Sequence, residues 1–85
     1  MELTKTMKTM LMAIEENGSM TATDIQRTRG ISYACIVNGL KVLKNMGLIA
    51  SKREGKFISY TLTDKGKEVC DCFKKIEEVI KNGQN

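Results

Sequence analysis

The sequence predicts a mainly α fold carrying one small β-hairpin, an α+β arrangement, and three observations predict it. Apolar residues recur at helical spacing in the first, third and last segments of the chain. Leu40 and Leu43 run out of a helix into Gly47, and Leu48-Ile49 begin an extended segment at once; a glycine there supplies the left-handed residue that ends a helix. Lys52-Arg53-Glu54-Gly55-Lys56 is short, polar and glycine-containing, as a tight hairpin loop needs to be. Behind it Ile58, Tyr60 and Leu62 alternate with Phe57, Ser59 and Thr61, the period of a strand with one apolar face.

Each element has its own justification. In the first helix, Thr4 to Asn17, the residues Leu3, Met7, Met10, Leu11 and Ile14 make a single stripe, and Gly18 stops it. Ser19-Met20-Thr21 is an extended link with Met20 pointing inward, able to add a third short strand beside the hairpin. Thr21 or Thr23 caps a second helix from Ala22 to about Arg29, with Ile25 inward. Arg29-Gly30-Ile31 makes a turn, and Ser32 caps a third helix over 32–46; glycine in a turn between two helices is a helix-turn-helix cue. In that helix Ile36, Leu40 and Leu43 centre the buried face, flanked by Cys35, Val42 and Met46, and Gly39 asks for a close helix approach. The hairpin covers 48–62, Thr63 caps the last helix with Asp64 in its first turn, and that helix runs over 64–82. Residues 1–82 form one domain on this reading, and 83–85 a frayed tail.

The run Leu43-Lys44-Asn45-Met46-Gly47-Leu48-Ile49, followed by Leu62-Thr63-Asp64-Lys65-Gly66, resembles the same segments of MarR-like, ArsR-like and small archaeal winged-helix regulators. The resemblance covers most of the chain. It implies a winged helix-turn-helix domain, in which the hairpin is the wing and the third helix enters the major groove of double-stranded DNA.

Charge placement points the same way on its own. Residues 1–26 carry two lysines against four acids, and residues 57–85 carry five of each. The excess lies between, where Arg27, Arg29, Lys41, Lys44, Lys52, Arg53 and Lys56 face only Glu54. Such an asymmetry is a nucleic-acid footprint. On the third helix the side opposite the core presents Ala34, Val37, Asn38, Lys41 and Asn45. Ala34 and Val37 suit thymine methyls, Asn38 an adenine edge, and Lys41 a phosphate. Ser32 and Tyr33 stand where the helix would enter a groove, with hydroxyls for phosphate, although Tyr33 also lies near the core edge. Phe57, outward and beside the basic tip, suits a wing contact or a dimer contact.

Val69, Cys72, Phe73, Ile76, Val79 and Ile80 make a stripe along the last helix longer than the core of an 85-residue chain can cover. A second copy of the same helix is the simplest cover, with or without the first helix, giving a homodimer. The acids and lysines on its other face are expected to be solvated.

Other chemistries fare poorly. With no histidine, the chain lacks the commonest general base and the commonest metal ligand. Cys70 and Cys72 diverge by ~200° on a helix and cannot share one tetrahedral ion; Cys72 falls on the stripe and Cys70 at its edge. Glu15-Glu16 and Glu77-Glu78 are adjacent pairs, diverging by ~100°. Neither an enzyme nor a cofactor is expected. Three cysteines make no disulfide framework, and no apolar run nears the ~18 residues of a membrane span, so a reducing cytoplasm is expected. The reading is therefore a sequence-specific, homodimeric transcription regulator. A protein-interaction module and a sequence-indifferent architectural protein stay open as alternatives on the same fold.

Overall fold

The computed structural model describes residues 4–82. Helix α1 spans Lys5–Asn17, strand β1 Met20–Thr21, helix α2 Ala22–Arg29, helix α3 Tyr33–Asn45, strands β2 Ile49–Glu54 and β3 Phe57–Leu62, and helix α4 Asp64–Asn82. This is the expected order, including the short third strand. Leu3 and the tail at 83–85, both read from the sequence, lie outside the described residues.

Local chemistry sets the boundaries. The Thr4 hydroxyl accepts from the Met7 N–H at 3.1 Å, and Gly18 closes α1 with φ +82°. Thr21, not Thr23, caps α2: its hydroxyl accepts from the Asp24 N–H and the Asp24 carboxylate accepts from the Thr21 N–H, both at 3.1 Å. This reciprocal pair satisfies two N–H groups that the helix itself leaves unbonded. The Thr21 N–H and hydroxyl hold the Asp24 carboxyl below its ordinary value.

The sheet is antiparallel in the order β1-β3-β2, with Met20 opposite Tyr60, Ile49 opposite Leu62, and Glu54 opposite Phe57 across the Gly55-Lys56 turn. Its inner face and the helices enclose a core of Met10, Leu11, Ile14, Ile25, Ile36, Leu43 and Leu48, all fully or almost fully buried. Gly39 has the role expected of it: a Cβ there would lie 3.0 Å from the Met10 sulfur, so its absence lets α3 close on α1.

The root of α4 is tied to the end of α3. The Thr63 hydroxyl donates to the Gly47 carbonyl at 2.6 Å and accepts from the Gly66 N–H at 3.1 Å. Lys65 Nζ donates to the Met46 carbonyl at 3.1 Å, and a Cβ on Gly66 would sit 2.0 Å from the Leu48 carbonyl oxygen. Held this way, α4 turns Gly66, Val69, Cys70 and Phe73 toward the body.

Three expectations are corrected here. Cys70, read as an edge residue, is fully buried, with its thiol 3.8 Å from the Leu11 carbonyl, whereas Cys72 is exposed. Burial, with Glu15 nearby, pushes the Cys70 thiol up to about 11. Cys35, read as flanking the core, is exposed, because the first turn of α3 projects beyond the packed layer. The charges of α4 stay exposed, Lys74 at 55 % and Glu77 at 62 %, but are not merely solvated: Lys74 pairs with Glu15, Glu77 with Lys8 at 3.2 Å, and Lys8 Nζ lies 5.2 Å from the Phe73 ring centroid. The Glu15 carboxylate raises the Lys74 ammonium. Among the described residues no helix is long and apolar enough to cross a membrane.

Candidate nucleic-acid interface

The exposed side of α3 carries Ala34, Asn38, Lys41 and Asn45, all open to solvent. Ser32, the N-cap, uses its hydroxyl to accept from the Cys35 N–H at 3.4 Å. Val37 departs from the expected outward position. It is half-buried and turned toward the hairpin, where it lines a crevice of about 330 Å³ with Tyr33, Leu40, Lys41, Lys44, Ser51, Ile58 and Tyr60.

That crevice separates the helix from the wing and holds a bridge across it. Lys44 Nζ donates to the Ser51 hydroxyl at 2.7 Å, so Lys44 reaches from α3 to β2. Ser51 was not singled out in the sequence, where a serine in a basic strand carries no signal of its own.

Strand alternation divides the wing cations between two faces. Arg53 pairs across the hairpin with Ile58, on the side of Ser51 and Tyr60, whereas Lys52 pairs with Ser59 on the opposite side. Lys52, Arg53 and Lys56 are all exposed, and Lys52 keeps only a loose 4.0 Å approach to Glu54.

The structure brings Lys41 and Lys44 to the junction of α3 and the wing, with Lys56 on the adjoining crevice and Arg53 at the wing tip, where its Nε donates to the Gly55 carbonyl at 3.5 Å, but not the two arginines of α2. Arg29 is held by Glu16 at 2.6 Å, against α1. Arg27 lines a separate crevice with Asn17, Ser19 and Met20.

Ile58, read as covering the helices, is 46 % exposed. Its register explains this: it lies one residue beyond the turn-closing pair Glu54–Phe57, past the reach of the helices, and counting outward from the turn would have shown it. Tyr33 is 51 % and Phe57 64 % exposed. Among the described residues, no group of three or more cysteine, aspartate or glutamate side chains is placed to hold a metal ion.

Comparison with known proteins agrees with this architecture. The curated HTH-type transcriptional regulator NmtR of Mycobacterium tuberculosis is 33 % identical over 55 residues, 65 % of this chain and 46 % of NmtR. YusO of Bacillus subtilis superimposes with a TM-score of 0.89 at 19 % identity, over 96 % of this chain and 60 % of YusO. A mutant of ZitR from Lactococcus lactis gives a TM-score of 0.86 at 27 % identity, over 99 % of this chain and 60 % of that protein. The chain thus spans about half to three-fifths of the proteins it matches. Residues 4–81 match the model of one family throughout, and the chain accordingly belongs to the winged helix-turn-helix family.

Proposed function

We propose that this chain binds double-stranded DNA in a sequence-specific way as a homodimeric transcription regulator. In this reading residues 1–82 act as one domain, α3 lies in the major groove, and the wing touches the flanking backbone or minor groove. One observation carries it: Lys41, Lys44, Lys52, Arg53 and Lys56 gather on α3 and the wing with Glu54 as their sole acidic neighbour in 27–56, while the rest of the chain has no cationic excess. Asn38 and Ala34 stand with Lys41 on the exposed side of α3, a side suited to base edges. That NmtR is a transcriptional regulator supports the same assignment.

The dimer rests on α4. Ile76, Val79 and Ile80 are each more than half exposed, and with Cys72 and the outer edges of Val69 and Phe73 they form an apolar face that the described residues do not cover. A second copy, joined through α4 alone or with α1, would cover it and set two α3 helices for two half-sites.

Salt titration tests the assignment. If the dimer neutralises about 6–10 phosphates, affinity falls ~10³–10⁵-fold between 50 and 200 mM salt. Replacing Lys52, Arg53 and Lys56 together by alanine weakens binding to every sequence and flattens that dependence, because phosphate contacts carry little base information. Asn38→Ala instead costs about 1–3 kcal/mol on the preferred site and much less on random DNA. A flat salt response overturns the DNA reading and favours a protein-interaction module. Equal losses on both DNAs for Asn38→Ala favour an architectural protein.

A further inference from the structure

Three of the chain's four aromatic side chains meet at one place. Tyr33, Phe57 and Tyr60, with Ile58, line a second crevice of about 260 Å³ whose other wall is the start of α2, at Thr21, Ala22 and Thr23. It adjoins the crevice crossed by Lys44, and Tyr33, Ile58 and Tyr60 line both. Phe57 is more exposed than any other large hydrophobic residue of the described chain, at 64 %, and its cross-strand neighbour is Glu54 rather than an apolar side chain. Among the described residues nothing covers the ring.

The surroundings say what would. Lys56 lines this crevice, Lys41 and Lys44 line the adjoining one, and Arg53 pairs with Ile58. Aromatic faces set among cations are the chemistry that takes unstacked nucleobases: the ring stacks on the base while the cations hold its phosphates. An intact duplex offers side chains only base edges in its grooves. A ring here gains a base face only where a base has left the stack.

We propose that the Tyr33–Phe57–Tyr60 crevice is a stacking site for an unpaired or unstacked base of DNA, so that the protein prefers duplexes with an opened base step beside the wing. The proposal rests on the DNA reading above and adds to it a preference for distorted DNA.

The test compares two duplexes of one sequence, one fully paired and one carrying a single bulged 2-aminopurine, each titrated with the full chain. Stacking of one base predicts tighter binding of the bulged duplex by roughly 5- to 150-fold, with quenching of the 2-aminopurine emission. Phe57→Ala, at an exposed position that leaves the fold intact, removes most of that preference and the quenching, bringing its affinity for the bulged duplex close to its affinity for the paired one. Phe57→Trp retains both. Equal affinity of the wild type for the two duplexes, or a preference untouched by Phe57→Ala, overturns the stacking site and leaves the DNA reading standing. Failure to bind either duplex at low salt overturns both.

Discussion

The wing end of the molecule and the far half of α4 both leave large apolar side chains in solvent, and the charges around them differ. Tyr33, Phe57 and Ile58 stand among Lys41, Lys44, Arg53 and Lys56, with Glu54 as the one acid nearby in sequence. Ile76, Val79 and Ile80 stand in a segment where lysines and acids balance, at five each over residues 57–85. Exposure alone therefore does not identify a partner. A cationic collar selects a polyanion, whereas a neutral stripe with the four-three spacing Val69, Cys72, Ile76, Val79 suits another helix of the same kind.

The largest effect is expected where the two regions differ most. Ile76→Lys with Val79→Lys leaves the subunit core untouched, since both side chains are exposed there. If a second copy buries them, each contributes about 1.5–3 kcal/mol, so the double variant weakens self-association ~10²–10⁴-fold. Sedimentation at micromolar concentration reads this as a shift from dimer to monomer. A wild type that sediments as a monomer and still binds DNA tightly breaks the comparison, because α4 would then need no cover.

Much of this was legible in the sequence, and the exceptions have a common cause. Caps, glycine stops and strand alternation are local, so the element order, the Ser32 cap and the close approach at Gly39 followed from neighbouring residues. The roll of α4 was not local. Its apolar stripe is wide enough to serve two faces, one toward α1 and one toward solvent, and periodicity returns only their average. Hence Cys72 reads as on the stripe and Cys70 as at its edge, whereas the tie between Gly66 and Leu48 turns Cys70 toward Leu11. The same limit hid the Lys8–Glu77 and Lys74–Glu15 pairs, and the pairing of Arg29 with Glu16, because each partner lies on a different helix.

A middle-sized effect tests that tie. The Cβ of Gly66→Ala would lie 2.0 Å from the backbone oxygen of Leu48, an atom that cannot swing aside, so the root of α4 must shift. Overpacking of this kind costs about 1–3 kcal/mol or more, read as a lowered denaturation midpoint. Gly39→Ala meets the flexible end of Met10 at 3.0 Å, and a helix-propensity gain of up to about 1 kcal/mol offsets the adjustment. It should stay within roughly 1 kcal/mol of wild type. Equal losses for the two variants would mean that Gly66 does not set the orientation of α4.

The smallest effect is a matter of protection, and it reads both regions in one experiment. Cys35 is exposed on α3, Cys72 is exposed on the outer face of α4, and Cys70 is buried between α4 and α1. Alkylation of the native chain should modify Cys35 and Cys72 and leave Cys70 more than about a hundredfold slower, since that thiol is reached only when α4 opens. Burial also keeps it protonated: raised to about 11, it gains little thiolate as the pH passes through the usual thiol range. The sign for stability follows. A thiol whose proton is held more tightly in the folded state favours folding below its ordinary value of 9.0, and that contribution is lost as the pH rises toward about 11. Added DNA should then slow modification of Cys35 and not of Cys72 if α3 and the wing form the DNA face. Raising the protein concentration should slow Cys72 and not Cys35 if α4 pairs with its copy. Protection in the reverse order would exchange the partners assigned to the two ends.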